Sequence, residues 1–157
     1  MSHIRAEILA VDFPDTAAAR IIINAPASRI FNLLANPRAH RDFDGSQTIQ
    51  NAISGPERLF LGAKFSMAMN IKIPYRITNT VVEFEEDQKI TWAHLMKWRW
   101  SYELKDLGNG QTQVTEIFDA HAVPGFSRWW LKKTDSLARN PKWMAKSLVH
   151  LKAICEA

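Results

Sequence analysis

The sequence predicts an α+β fold: a mostly antiparallel sheet packed against a long C-terminal helix, with two short helices after the first strand. Three observations carry this reading. From Thr48 to Ala120, apolar and polar residues alternate in successive runs separated by short turns. Period-two alternation marks strands with one buried face, and short turns join antiparallel neighbours. Between Ala25 and Gly45 the apolar spacing is helical and is punctuated by proline and glycine. Near the C-terminus Trp130, Leu137, Met144, Leu148, Leu151 and Cys155 fall on one helical stripe.

Residues 1–19 read as an extra strand (Ile4–Val11) or an arm. Arg20–Asn24 is a short β-branched strand. Pro26 suits the first turn of a helix, and Ile30, Phe31, Leu33 and Leu34 give that helix its apolar stripe. Asn36-Pro37 stops it and starts a second short helix, which Gly45 ends. Strands follow at Thr48–Ser54, Ala63–Asn70, Tyr75–Phe84 and Lys89–His94. They place Phe65, Met67 and Met69 on one face, and Ile90, Trp92 and His94 on another. Pro141 would normally break or kink a helix, so the C-terminal stripe is read as a kinked helix, or two in line, with Asn140-Pro141 as the junction. The sheet's inner face is the large apolar surface against which that stripe can be buried.

The segment Ile90–Asp119 is the most informative. Trp98, Trp100, Tyr102 and Leu104 share one strand face, and Thr112, Val114, Glu116 and Phe118 share one on the next strand. A two-residue Asn109-Gly110 turn would pair Gly108 with Gln111 and set apolar against polar. A three-residue loop over Gly108, Asn109 and Gly110 sets Leu104 beside Val114, Tyr102 beside Glu116 and Trp100 beside Phe118. A one-residue slip flips every side chain, so the face pattern decides the register.

A chain of 157 residues is expected to be a single domain, 1–157. Its one cysteine, Cys155, excludes an internal disulfide and a cysteine-based metal cluster. The five histidines show no ligand spacing, so neither a metal nor a cofactor is expected. Met1–Ala10 lacks a continuous apolar signal segment, and no run approaches the ~20 apolar residues of a membrane span. A cytoplasmic protein is expected. The formal net charge of +4 comes with a late cluster of Arg128, Lys132, Lys133, Arg139, Lys142, Lys146 and Lys152. This is read as a solvated helix face rather than a nucleic-acid surface.

Three segments together resemble the START-like superfamily, in its polyketide cyclase/dehydrase and lipid-transport branch. They are IIINAPASRIFNLL (Ile21–Leu34), NPRAHRDFDG (Asn36–Gly45) and Trp98–Asp119, with Trp100, Tyr102 and Leu104 spaced as W-x-Y-x-L. The resemblance spans about Arg20 to Ala153. It implies a helix-grip fold, a curved sheet around the C-terminal helix with a cavity between them. The lining positions would be Phe65, Met67, Met69, Trp92, His94, Trp98, Trp100, Tyr102, Glu116 and Phe118 from the sheet. The helix would add Trp130, Leu137, Met144 and Leu148. Members of the family include aromatic cyclases, lipid carriers and hormone receptors, so the fold alone does not give the activity.

Among these residues Glu116 is the sharpest. A carboxyl on an apolar strand face has its charged form disfavoured by burial, and a carboxyl so poised can act as acid or base. Rim exposure, or an ion pair with Arg76 or another cation, is the structural alternative. Tyr102 can donate to a ligand oxygen or simply to Glu116. His94 can relay protons or only brace a strand end. No convincing catalytic dyad emerges. Binding of a hydrophobic small molecule (a polyketide, lipid or aromatic metabolite) therefore ranks above a polyketide cyclase or dehydratase. A protein-interaction module is the third reading.

Overall fold

The computed structural model describes residues 5–9, 16–46, 49–95, 97–120, 125–126, 129 and 136–157. The elements are β1 (Glu7–Leu9), β2 (Thr16–Ile23), α1 (Ala27–Leu34), a tight turn of helix at Pro37–Ala39 and α2 (His40–Phe43). Then come β3 (Ile49–Ser54), β4 (Lys64–Ile71), β5 (Ile73–Glu85), β6 (Lys89–His94), β7 (Arg99–Gly108), β8 (Gln111–Asp119) and α3 (Ser136–Glu156). The strands form one eight-stranded sheet in the order β1-β2-β8-β7-β6-β5-β4-β3. Every neighbouring pair is antiparallel. The architecture is the α+β helix-grip arrangement, a curved sheet with a C-terminal helix and two short helices after the first long strand.

The clearest departure from the sequence reading is at the N-terminal strands. The first long strand begins at Thr16, not Arg20, and the short extra strand is β1, paired along β2. Ala17, Ala18 and Ala19 have weak strand propensity, but pairing along the whole of β8 overrides it. In α3 one helix runs through Pro141, so of the two readings of that stripe the single helix holds and two helices in line do not. Proline there removes one N–H from the ladder, while the stripe beyond it stays in phase. Trp130 lies outside the described residues, as does the side chain of Leu137.

The hairpin register is as the face pattern requires: Trp100 opposite Phe118, Tyr102 opposite Glu116 and Leu104 opposite Val114. The extra residue, however, sits in the strand and not in the loop. Gly108 pairs with Gln111 across a two-residue Asn109-Gly110 turn, and the register shifts between Asp106 and Gly108. Asn109 and Gly110 both have positive φ, as a type I′ turn needs. A bulge at Leu107 then restores the inward face, because two residues on β7 oppose one on β8.

The helix α3 packs chiefly on β2, and also on β1, β8 and α2. Met144, Leu148 and Leu151 are fully buried there, each contributing roughly 1.5–3 kcal/mol of apolar burial. Gly45 fixes where α2 meets α3. A Cβ at Gly45 would lie 2.4 Å from the Trp143 carbonyl oxygen and 2.6 Å from the Ser147 nitrogen. Only glycine allows that approach, and the Gly45 N–H donates to Ser147 Oγ at 2.7 Å.

Candidate functional site: a buried carboxyl in an aromatic interior

Strand alternation turns Trp100 and Tyr102 of β7 and Glu116 of β8 to the inner face. Their cross-strand register brings them into contact. Trp100 Nε1–H donates to Glu116 Oε1 at 2.7 Å, and the Tyr102 hydroxyl donates to the same oxygen at 2.8 Å. Among the described residues Oε2 is buried with no hydrogen-bond partner. On the other side of Glu116, β2 offers only Ala19, with Ala17 opposite Phe118. These methyl groups have no polar atoms and little bulk. Further along β2 the inner positions enlarge to Ile21 and Ile23, both buried.

Glu116 is 1% exposed. Burial pushes its carboxyl up to about 8; the two donors pull it down, and the charge of Asp44 adds to the upward push. The Tyr102 hydroxyl is also raised, by burial first and then by the neighbouring Glu116 charge. No cation is paired with Glu116 among the described residues: Arg76 donates instead to Ser66 Oγ at 3.2 Å.

Aromatic side chains continue the cluster. The Trp92 ring lies 5.8 Å from Tyr102 and 5.6 Å from Phe65, and Trp100 meets Phe118 edge-on at 5.1 Å. Phe65 and Met67 are buried, and Met69 is half-buried. The sheet thus gathers Phe65, Trp92, Trp100, Tyr102, Glu116 and Phe118 into one connected group. On the facing helix, Met144 and Leu148 are fully buried. His94 and Trp98 pair at the strand ends. Their rings stack at 4.2 Å at the β6–β7 turn, where the His94 N–H donates to the Trp98 carbonyl at 2.9 Å. Burial pulls the His94 imidazole down to about 4, so it is neutral at pH 7.

His40 and Phe43 did not stand out in the sequence, yet they close this group from α2. The His40 ring stacks on Trp92 at 5.0 Å and meets Phe65 edge-on at 5.7 Å, while Phe43 meets Tyr102 at 6.5 Å. His40 Nε2–H donates to the Leu34 carbonyl at 2.7 Å, which fixes the tautomer. Burial lowers this imidazole to about 4. The available signal was the i, i+3 spacing of His40 and Phe43 in a short helix, which puts both on one side.

Two surface concavities lie elsewhere. One is on the solvent side of β6–β8, between Lys89, Glu103, Lys105 and Gln113; the other lies between α1 and α3, beside Asn32, Leu33 and Ile154. Neither contains a polar group buried like Glu116. Among the described residues, no helix is long and apolar enough to cross a membrane.

No family model matches the sequence. The chain is 38% identical over 111 residues to the uncharacterized protein Rv0088 of Mycobacterium tuberculosis strain H37Rv, covering 70% of this chain and 50% of that one. A 37% identical relative, the uncharacterized protein MT0096, occurs in strain CDC 1551, with the same coverage. The chain spans about half the length of the curated relatives it matches. Among solved structures it superimposes on protein Ms6760 of Mycobacterium smegmatis with a TM-score of 0.72 at 12% identity, covering 96% of each chain. It also superimposes on the Polyketide_cyc-like protein Cgl2372 of Corynebacterium glutamicum, with a TM-score of 0.63 at 17% identity over 93% of this chain and 94% of that one. The chain therefore has the helix-grip fold.

Proposed function

We propose that this chain binds a hydrophobic small molecule, a polyketide, lipid or aromatic metabolite, between the inner sheet face and α3, with Glu116 as its polar anchor. One observation carries the reading: a fully buried carboxyl, held by Trp100 and Tyr102 among aromatic rings, keeps one oxygen unpartnered among the described residues. Leaving a buried polar atom unsatisfied costs about 1–3 kcal/mol. A ligand that hydrogen-bonds to it offsets that cost, whereas packing alone would favour an aliphatic residue. Flat rings at Trp92, Trp100 and Phe118 suit an aromatic or polycyclic body. The structural likeness to the Polyketide_cyc-like protein Cgl2372 fits the same reading.

The six tryptophans supply the assay. Titration with a panel of polycyclic aromatics, polyketide-like phenols and fatty acids should quench emission saturably, and Trp100→Leu should weaken the tightest binder. If no compound binds more tightly than about millimolar, which is only ~4 kcal/mol, the proposal fails.

A second reading, a cyclase or dehydratase acting in the same place, is favoured by one feature. Burial holds the Glu116 carboxyl at about 8, close to the pH at which acid–base catalysis is efficient. Glu116→Gln separates the two readings. Under the binding reading, the variant keeps its ligand. Under the enzymatic reading, it also loses turnover by ~10²–10⁴-fold.

A further inference from the structure

We infer that Glu116 meets the bound molecule as a hydrogen-bond donor, through the Oε2–H of a neutral carboxyl, and that the ligand is an uncharged aromatic compound presenting a ketone- or quinone-type oxygen. The inference rests on the small-molecule reading above and names the chemistry of its anchor point.

The direction of the hydrogen bond follows from the donors. Indole Nε1–H can only donate, and at 2.7 Å it donates to Oε1. The Tyr102 hydroxyl lies 2.8 Å from the same atom. If Oε1 carried the proton and donated to Tyr102, the phenol hydrogen would need another acceptor, and the hydrogen bonds of Tyr102 among the described residues include none. With Tyr102 donating, both lone pairs of Oε1 are used; in the neutral carboxyl that full burial without a paired cation among the described residues favours, Oε1 is the carbonyl oxygen and the proton sits on Oε2. That group is buried without an acceptor among the described residues. Its cross-strand neighbour on β2 is Ala19, whose methyl group cannot serve.

The surroundings select against charge. Rings of Trp92, Phe43 and Phe118 lie within this cluster, and among the described residues the charge of Asp44 pushes Glu116 toward its neutral form. The same negative potential that favours the neutral form of Glu116 would oppose an anionic group placed beside it. A cationic ligand would require two desolvated charges. A neutral carbonyl needs neither, and it supplies the acceptor that the aromatic walls lack.

Four naphthalenes of similar size test the inference on the full chain by tryptophan quenching: 2-acetylnaphthalene, 2-ethylnaphthalene, 2-naphthoate and 2-(aminomethyl)naphthalene. The ketone should bind at least ~10-fold more tightly than each of the others, the gain of one good hydrogen bond to a buried group. Glu116→Gln should preserve this preference, because the amide accepts at one end and donates at the other. The carbonyl stretch of bound 2-acetylnaphthalene should shift to lower frequency than in hexane, in both the parent and the Gln variant. Equal binding of the ketone and the ethyl compound would overturn the donor inference while leaving apolar binding intact. Preference for the acid or the amine would also overturn it. Failure of all four to bind would defeat both the inference and the reading beneath it.

Discussion

Glu116 and His40 face one another through a relay of rings: His40 stacks on Trp92, Trp92 touches Tyr102, and Tyr102 donates to Glu116. Burial acts on both and drives them in opposite directions. It raises the acid to about 8 and lowers the base to about 4, so each is mostly neutral at pH 7. The charged form pays the desolvation penalty whatever its sign. The two differ in what their polar atoms meet. His40 donates to the Leu34 carbonyl, a backbone group from the end of α1, and so ties α2 to α1. Glu116 has one oxygen doubly served and the other unserved among the described residues. A buried polar residue whose bonding atom is matched by backbone is part of the architecture. One with an unmatched atom among aromatic rings is the better candidate for meeting a ligand.

The largest effect is expected at His40. His40→Ala removes a ring packed against Phe43, Phe65 and Trp92 and strands the Leu34 carbonyl. A loss of about 3–5 kcal/mol in chemical denaturation is expected, in the range of buried aromatic truncations. A loss below ~1 kcal/mol would remove His40 from the architectural role.

The next effect is a pH dependence that sets the two residues against each other. For Glu116 the folded state holds its proton up to about 8, whereas the unfolded carboxyl releases it near 4.5. Stability therefore falls as pH rises across that window, by up to ~1.4 kcal/mol per pH unit. For His40 the unfolded ring binds a proton near 6.5 and the folded one near 4, so stability falls as pH drops through that window. Between about 4.5 and 6.5 the two slopes oppose each other. Between about 6.5 and 8 the Glu116 slope is not opposed by His40. Denaturation midpoints should decline there, and Glu116→Gln should flatten the decline. An unchanged slope in that variant would place the titration on another group.

A smaller effect sharpens the comparison. Tyr102→Phe removes one of the two donors that pull the Glu116 carboxyl down. About 1 kcal/mol should be lost near neutrality. The carboxyl's titration, followed by isotope-edited infrared spectroscopy, should move upward. A downward movement would mean that the phenol is not donating.

The same contrast explains what was legible in the sequence. Glu116, Tyr102 and Trp100 were readable because a strand's period of two assigns each side chain a face and the register assigns it a neighbour. His40 was not, since α2 spans only His40–Phe43 and its key acceptor is a backbone oxygen on another element. The alanines beside Glu116 were hidden for a related reason. Their strand character comes from pairing with β8, not from their own preference. The place of the extra residue near Gly108 was misread, as a three-residue loop instead of a bulge before a two-residue turn. A three-residue loop and a bulged two-residue turn leave the same side chains inside.

That bulge has a consequence for how the chain tolerates length change. Deleting one residue ahead of a hairpin turn ordinarily shifts the strand's frame and turns its inward side chains outward. Leu107 is the surplus residue, half exposed and opposite no partner of its own. Its removal would leave Asp106 beside Gly108, with Gly108 still facing Gln111 and Asp106 still facing Thr112. The hairpin would become regular, and Tyr102 would remain across from Glu116. Loss of Ser101 or Glu103 would instead carry Trp100 out of reach of the carboxyl. A one-residue deletion is therefore absorbed at Leu107, two residues from the turn, while the spacing of Trp100 and Tyr102 is kept.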